Sequence, residues 1–340
     1  MAGNNISVPI AKNPLLEIPY RHEDFSERRN YKLIEEIKSD QMSLHIEEHN
    51  GRKWNLLVLG PCGSGKSSLI NSVLSISKGK YINSAFACGV QMGYTTSKFR
   101  SYARGSFDNL RFYDTAGLHQ GFNIDMMTSI ISGRVKEGYD FFLGGIIEED
   151  NPFYRKNPSE ADMMHCVIYV VDICLLSVMD SSFTHSIRKL QTKQISSDLQ
   201  RILILTKCDE LCDEVNKNVV NIYRSKKVLE EINRASDLFG LPRGNIHPVV
   251  NYGERVTTIN PDMNIPILLA LQQCVNFSND FMENILQRNV MQNNANKWQT
   301  MFALTVVFMA RGQHMDKTLP QEYVIMCSSV ELKLGASRRF

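Results

Sequence analysis

Residues 54–67 read Trp54-Asn55-Leu56-Leu57-Val58-Leu59-Gly60-Pro61-Cys62-Gly63-Ser64-Gly65-Lys66-Ser67. A largely apolar run long enough for one buried strand is followed by a glycine-rich turn. Beyond the turn, Ser67–Ser75 carries Leu69, Ile70, Val73 and Leu74 at helical spacing. Strand, glycine-rich turn and helix in that order make a phosphate-binding loop. Gly60, Gly63 and Gly65 let the backbone curl so that successive N–H groups point inward, and the helix adds its positive N-terminus. Lys66 is placed to reach β- and γ-phosphates as a point charge, and Ser67 to put its hydroxyl on Mg²⁺. Pro61, Cys62, Gly63, Ser64, Gly65, Lys66, Ser67 and Ser68 are therefore the candidate phosphate-binding residues.

Further along, strand-like and helix-like segments alternate. The expected strands are Phe99–Tyr102, Leu110–Asp114, Cys166–Val171 (ending at Asp172), Arg201–Thr206 and Ile246–Val250. Uninterrupted apolar runs rich in β-branched residues, such as Val167–Val171, suit strands buried on both faces. Between them, Val219–Leu238 and Ile265–Val275 read as helices. The alternation predicts an α/β fold, a mostly parallel sheet with helices on both faces. Residues 1–51 read as an irregular arm with prolines at 9, 14 and 19 and a polar surface helix around Glu35–Lys38. Residues 52–280 form the sheet-bearing domain. Within it, residues 133–162, punctuated by glycine and proline, read as a partly helical insertion. Residues 281–340 are a C-terminal extension in which Trp298–Ala310 fits helix or strand.

Composition narrows the class. The chain has 340 residues, 43% of them hydrophobic and 22% charged, with a formal net charge of +2. That balance gives no reason to invoke nucleic acid. The eight cysteines lack framework spacing, and Cys208-x-x-x-Cys212 has no second half with metal-ligand spacing. Reduced thiols in a cytoplasmic protein are the expectation. The longest apolar stretch, Met301–Ala310, is too short for a membrane span.

Two more motifs stand at strand ends, where open α/β sheets bind ligands. In Asp114-Thr115-Ala116-Gly117 the carboxylate would reach Mg²⁺ and the Gly117 N–H the γ-phosphate. In Thr206-Lys207-Cys208-Asp209 the terminal carboxylate can accept from guanine N1–H and the 2-amino group together. Adenine offers neither donor there. The Lys207 stem can lie along the base plane. Together these predict a GTP/GDP site with Mg²⁺. An adenine-nucleotide kinase or ATPase would leave Thr206–Asp209 without a task.

The three motifs in this order resemble those of the small-GTPase-like G domains, over about residues 52–280. Thr206 replaces the usual Asn, as in dynamin-like GTPases. Val249-Val250-Asn251-Tyr252 stands where a Ser-Ala-Lys motif would, which makes Asn251 the candidate from that loop. A closer resemblance is to the interferon-induced protein 44 family of GTP-binding proteins. It is carried by Phe99-Arg100-Ser101-Tyr102, by His165–Asp172 with Ser177-Val178-Met179-Asp180, and by Leu205–Asp209. Tyr223-Arg224-Ser225-Lys226 and Val249–Tyr252 add to it. The resemblance implies a cytoplasmic GTP-binding protein of the interferon response. It also favours Thr96 over Thr95 as the switch threonine that completes the Mg²⁺ shell.

For hydrolysis, Lys66, Thr96 and His119 are the catalytic candidates. Small G proteins often place Gln directly after Asp-x-x-Gly, but here Leu118 occupies that position and His119 and Gln120 are out of register. Cys62 replaces a customary glycine. Slow hydrolysis is expected, with a second copy or another protein as a source of the missing group. Arg134 and Arg155 in the insertion are internal candidates for it. The alternative is a module that holds nucleotide without meaningful hydrolysis.

Overall fold

The computed structural model describes residues 13–40, 53–85, 98–103, 105–119, 122–141, 147–193, 198–253 and 256–310. The elements in chain order are α1 (Glu27–Asp40), β1 (Trp54–Leu59), α2 (Lys66–Lys78), β2 (Arg100–Tyr102), β3 (Leu110–Asp114) and α3 (Ile124–Ile131). They continue with β4 (Cys166–Asp172), α4 (Ser181–Lys193), β5 (Arg201–Thr206), α5 (Cys208–Leu211) and α6 (Asp213–Lys217). α7 (Lys226–Phe239), β6 (Ile246–Pro248) and α8 (Pro261–Ala310) complete the order. The sheet order is β2-β3-β1-β4-β5-β6, with β2 antiparallel to β3 and every other pair parallel. This is the mostly parallel α/β sheet expected.

The order reverses at β1. Right-handed crossovers then put α2 on one face of the sheet, and α3, α4 and α7 on the other. In keeping with this, α3 packs on α4 and α4 on α7. The reversal sets β1 between β3 and β4, so a crevice opens at the carboxyl end of β1. β1 and β4 are buried along their whole length. Their Leu, Val and Ile side chains each contribute roughly 1.5–3 kcal/mol on burial. β2 is a half-exposed edge strand. Its Ser101 N–H and hydroxyl are both taken by the Glu137 carboxylate, which caps the edge against further pairing.

Several expected elements are redrawn. The helix expected over Val219–Leu238 is a 3₁₀ turn at Val219–Tyr223 followed by α7. The break is at Ser225, a buried residue whose hydroxyl accepts from the Val228 N–H at 3.3 Å and caps the new helix. The described part of the 133–162 insertion has no α-helix. It is held by a Val135–Tyr154 bridge and a 3₁₀ turn at Glu160–Asp162, where Ser159 and Asp162 form a capping box. Trp298–Ala310 is helical and continues α8.

The chain divides into two compact units, Met1–Phe281 and Met282–Phe340. Within the first, the arm is a built part of the fold. Leu15 bridges Ser225, Leu16 N–H donates to Arg224 O at 2.7 Å, and Tyr20 N–H donates to Tyr223 O at 3.0 Å. Arg21 then crosses the Tyr223 ring, 5.4 Å from its centroid, to reach β6. There its guanidinium donates to His247 Nδ1 at 3.2 Å. Arginine has no acceptor, so the His247 proton must sit on Nε2, where it donates to Gln273 Oε1. On α1, Leu33 and Ile37 are fully buried, and Glu36 accepts from Gln272 of α8.

Burial and the facing Arg21 push the His247 pKa down from 6.5 to about 3. The folded state therefore favours the neutral ring. Its stabilisation is complete above pH 6.5 and is withdrawn as pH falls toward 3. Denaturant unfolding should show about 2 kcal/mol lost from this group between pH 6.5 and 5. In His247→Gln the fall over that interval should be smaller by that amount. An equal fall in both proteins would refute the neutral, Arg21-facing histidine.

Candidate nucleotide site

The crevice at the end of β1 is lined by the phosphate loop and by the ends of β3, β4 and β5. Gly65, the last loop residue before α2, has φ +91°. A side chain there would be strained, and its Cβ would lie 3.2 Å from Asn251 Nδ2. Lys66 opens α2 and folds back over the loop. Its ammonium donates to Gly60 O at 3.0 Å and to Pro61 O at 2.9 Å, and it is only 7% exposed. Burial pushes its pKa below the ordinary lysine value, and the charges of Asp114 and Cys62 oppose that fall. Among the described residues no carboxylate forms an ion pair with it. Two carbonyls thus share a cation that an anion would suit better.

Ser67, one residue on, donates from its hydroxyl to Asp114 Oδ2 at 2.8 Å, and both residues are buried. The two expected metal ligands from α2 and β3 are therefore side by side. A hydroxyl and a carboxylate are the hard oxygen donors Mg²⁺ takes when phosphates and water fill the remaining positions. Among the described residues no group of three or more His, Cys, Asp and Glu could hold a metal unaided. Ser67 and Asp114 fit Mg²⁺ bound together with a phosphate. Thr95 and Thr96 lie outside the described residues, as does Gln120.

The chain after β3 is latched to the phosphate loop. Leu118 N–H donates to Gly60 O at 2.9 Å, and Leu118 bridges Pro61 in parallel register. Gly117 approaches so closely that a Cβ would lie 2.7 Å from Cys62 Cα. Leu118 is buried, and its side chain lines a cavity beside the loop. His119 follows as an exposed residue whose carbonyl accepts from Phe122 N–H. The insertion arginines are engaged within the insertion itself. Arg134 donates to Tyr154 OH and Lys156 O, while Arg155 donates to Gly133 O and pairs with Asp162 at 3.2 Å.

The Thr206–Asp209 segment is tied to the same loop. Thr206 is fully buried, and its hydroxyl donates to Ser64 O at 2.7 Å. Lys207 adopts a left-handed conformation, φ +61°, at the turn from β5 into α5. Its ammonium meets Asp172 Oδ2 at 2.6 Å. Partial burial opposes the Lys207 charge, yet the hydrogen bond and charge of Asp172 hold its pKa above the ordinary value. Asp209 is half-buried in the first turn of α5. Asn251 lies against the loop, with Nδ2 3.4 Å from Gly65 O and Oδ1 accepting from Ser72 at 3.4 Å.

Asp172 had no assigned task in the sequence. It holds Lys207 with one oxygen and caps the 3₁₀ turn Ile173–Val178 with the other, accepting from Cys174 N–H at 2.9 Å. An acidic residue closing a long apolar strand was the available signal. Replacing Thr206 by Val keeps the shape but leaves the Ser64 carbonyl without its buried donor. Urea unfolding should show a loss of about 1–3 kcal/mol, which Thr206→Ser largely restores. A neutral Thr206→Val would remove this tie from the account.

No protein-family model matches the chain. It is 28% identical to human interferon-induced protein 44-like over 239 residues, covering 68% of this chain and 52% of the relative. It is 29% identical to mouse interferon-induced protein 44 over 237 residues, covering 68% and 56%. The human interferon-induced protein 44 is 25% identical over 277 residues, covering 78% and 62%. The chain thus spans little more than half the length of these curated relatives. Among solved structures, a dimerization-deficient mutant of Toc33 from Arabidopsis thaliana overlays with a TM-score of 0.43 at 14% identity. That overlay covers 73% of this chain and 93% of the other. A probable GTP-binding protein engB overlays with a TM-score of 0.34 at 18% identity, covering 64% and 99%. Over most of its length, the chain is similar to the interferon-induced protein 44 and 44-like proteins.

Proposed function

We propose that this chain is a guanine-nucleotide-binding switch with slow, Mg²⁺-dependent hydrolysis of GTP. The observation that carries the reading is the buried Lys66 ammonium, held by Gly60 O and Pro61 O with Ser67 and Asp114 paired beside it. That arrangement leaves a cation and two hard oxygen ligands facing the space where a polyphosphate would lie. Bound Mg²⁺ would neutralise charge on the β- and γ-phosphate oxygens. Ser67 and Asp114 would hold the metal, and Lys66 would bind phosphate oxygens. The Gly117 N–H would contact the γ-phosphate, and Asp209 would select guanine. Thr96 and His119 are the chain's own groups for positioning water.

Leu118 favours slow chemistry. Its side chain is buried and carries no polar atom to orient a water. A reading without hydrolysis rests on the same residue, and single-turnover assays separate the two. Measurable Mg²⁺-dependent phosphate release from bound GTP supports the switch, and none supports the nucleotide-holding module. The names of the relatives support a role in the interferon response.

Titration of nucleotide-free protein with labelled GTP, GDP and ATP tests the site. Guanine nucleotides should bind and ATP should not compete. Lys66→Ala should weaken GTP by about 100-fold or more. Asp209→Asn should move preference from GTP toward XTP. Equal binding of ATP, or an unchanged GTP/XTP ratio in Asp209→Asn, would overturn the guanine assignment.

A further inference from the structure

Ser72 lies on α2 beyond Lys66, about 9 Å further along the helix axis. It is fully buried, and its hydroxyl both donates and accepts. Oγ–H donates to Ser68 O, one turn back, at 2.8 Å. Oγ accepts from Tyr252 N–H at 2.9 Å. Asn251 Oδ1 stands 3.4 Å away. A serine inside a helix gains little from bonding to its own preceding turn. What this hydroxyl adds is an acceptor for a backbone N–H that arrives from 180 positions further along the chain.

The segment it receives, Val249–Tyr252 after β6, touches the base motif, the phosphate loop and α8. Val249 O accepts from Cys208 N–H at 3.5 Å, next to Asp209. Asn251 Nδ2 lies 3.4 Å from Gly65 O in the phosphate loop. The Tyr252 ring is buried, and its phenol accepts from Asn260 N–H at 2.8 Å and lies 2.8 Å from Asn264 Oδ1 in the first turn of α8. α2 therefore carries Lys66 as its first residue and, less than two turns later, the fastening of this segment.

We propose that Ser72 is a positioning residue for the nucleotide base. By holding the Asn251–Tyr252 backbone on α2, it sets the distance between the phosphates on Lys66 and the loop beside Asp209. This role for Ser72 rests on the guanine-nucleotide reading above, and it supplies the group that joins the two halves of that site. Without the hydroxyl, Tyr252 N–H loses a buried acceptor. The loop then gives way and the base loses contact, while Lys66 and Ser67, earlier on the helix, still hold the phosphates.

Two ligands that share phosphates and differ in the base test this role. GTP and inorganic tripolyphosphate, each with Mg²⁺, compete against labelled GDP on the full chain, once the GDP Kd of each variant is known. Ser72→Ala should raise the GTP Kd by about five- to tenfold and leave the tripolyphosphate Kd within about twofold. Ser72→Cys, nearly isosteric but a weaker acceptor, should fall between Ser72→Ala and wild type. It reads the same ratio if Ser72→Ala does not fold. Tyr252→Phe removes the phenol bonds and keeps the backbone N–H on Ser72. It should lower the melting temperature and leave the ratio of the two Kd values unchanged. An equal change for both ligands, no change for either, or the same shift in Tyr252→Phe would overturn the proposal. Failure of the guanine reading shows separately, in the wild type, as ATP competing as well as GTP. In that case Ser72 is upheld if the ATP Kd rises against tripolyphosphate in Ser72→Ala, and overturned if it does not.

Discussion

A lysine ammonium sealed into the fold is the constraint around which the site is built. Lys66 is the second-last residue of the glycine-rich motif and the first of α2, so its position is set by β1 on one side and the helix on the other. Burying a charge costs several kcal/mol unless it is matched. Here two backbone carbonyls meet it in part, and Asp114 supports it from a distance. Folding therefore leaves an electrostatic deficit at one point, and a polyphosphate corrects that kind of deficit. Stability and ligand affinity are coupled at this point through one side chain.

The loop that presents Lys66 is held by polar ties from three different strand ends. Thr206 from β5 fixes Ser64 O, Leu118 after β3 fixes Gly60 O, and Asn251 after β6 rests on Gly65 O. Ser64 O would otherwise be a poorly satisfied acceptor in a tight turn, whereas Gly60 O also takes the Lys66 ammonium and Gly65 O the Leu69 N–H. Because the ties come from the segments that bear the other two motifs, the spacing between phosphate, metal and base positions is a property of the sheet. Flexible side chains do not set it. Thr206 is informative in this respect. A threonine hydroxyl reaches only one acceptor well, and the structure gives it a short bond to Ser64 O and a longer one to Val171 O.

What the sequence made legible were elements whose signal is local. β1, β3, β4 and β5 were readable as apolar runs because strands buried on both faces require them, and the phosphate loop was readable because glycines and a lysine at fixed spacing have one efficient use. The arm was read as irregular because its order comes from backbone bonds to Tyr223, Arg224 and Lys226, some two hundred positions away, which leave no periodic trace. The single long helix expected over Val219–Leu238 failed for the same reason. Its periodicity is real, but Ser225 is buried and caps a helix while also bridging Leu15, and a tertiary contact decides where the helix begins. In the site, Lys66, Ser67 and Asp114 were found as motif members. Asp172 was not, because its role exists only once β4, β5 and the phosphate loop are side by side.

Asp172 shows how the parts of the crevice share one residue. Its two oxygens serve different elements, one the ammonium of Lys207 and the other the N–H of Cys174 at the start of the 3₁₀ turn. That turn carries Leu175 and Val178, the outer wall of the cavity beside Cys62. Any ligand that draws Lys207 along a base plane must either keep this ion pair or release one oxygen of Asp172, and releasing it frees a carboxylate at the edge of an apolar surface. Keeping it is the less costly course, because a buried carboxylate without its partner is destabilising. The arrangement thus favours a base that stacks on the Lys207 stem while the ammonium stays paired. The position of the stem is then fixed by β4, the strand that also forms one wall of the cavity.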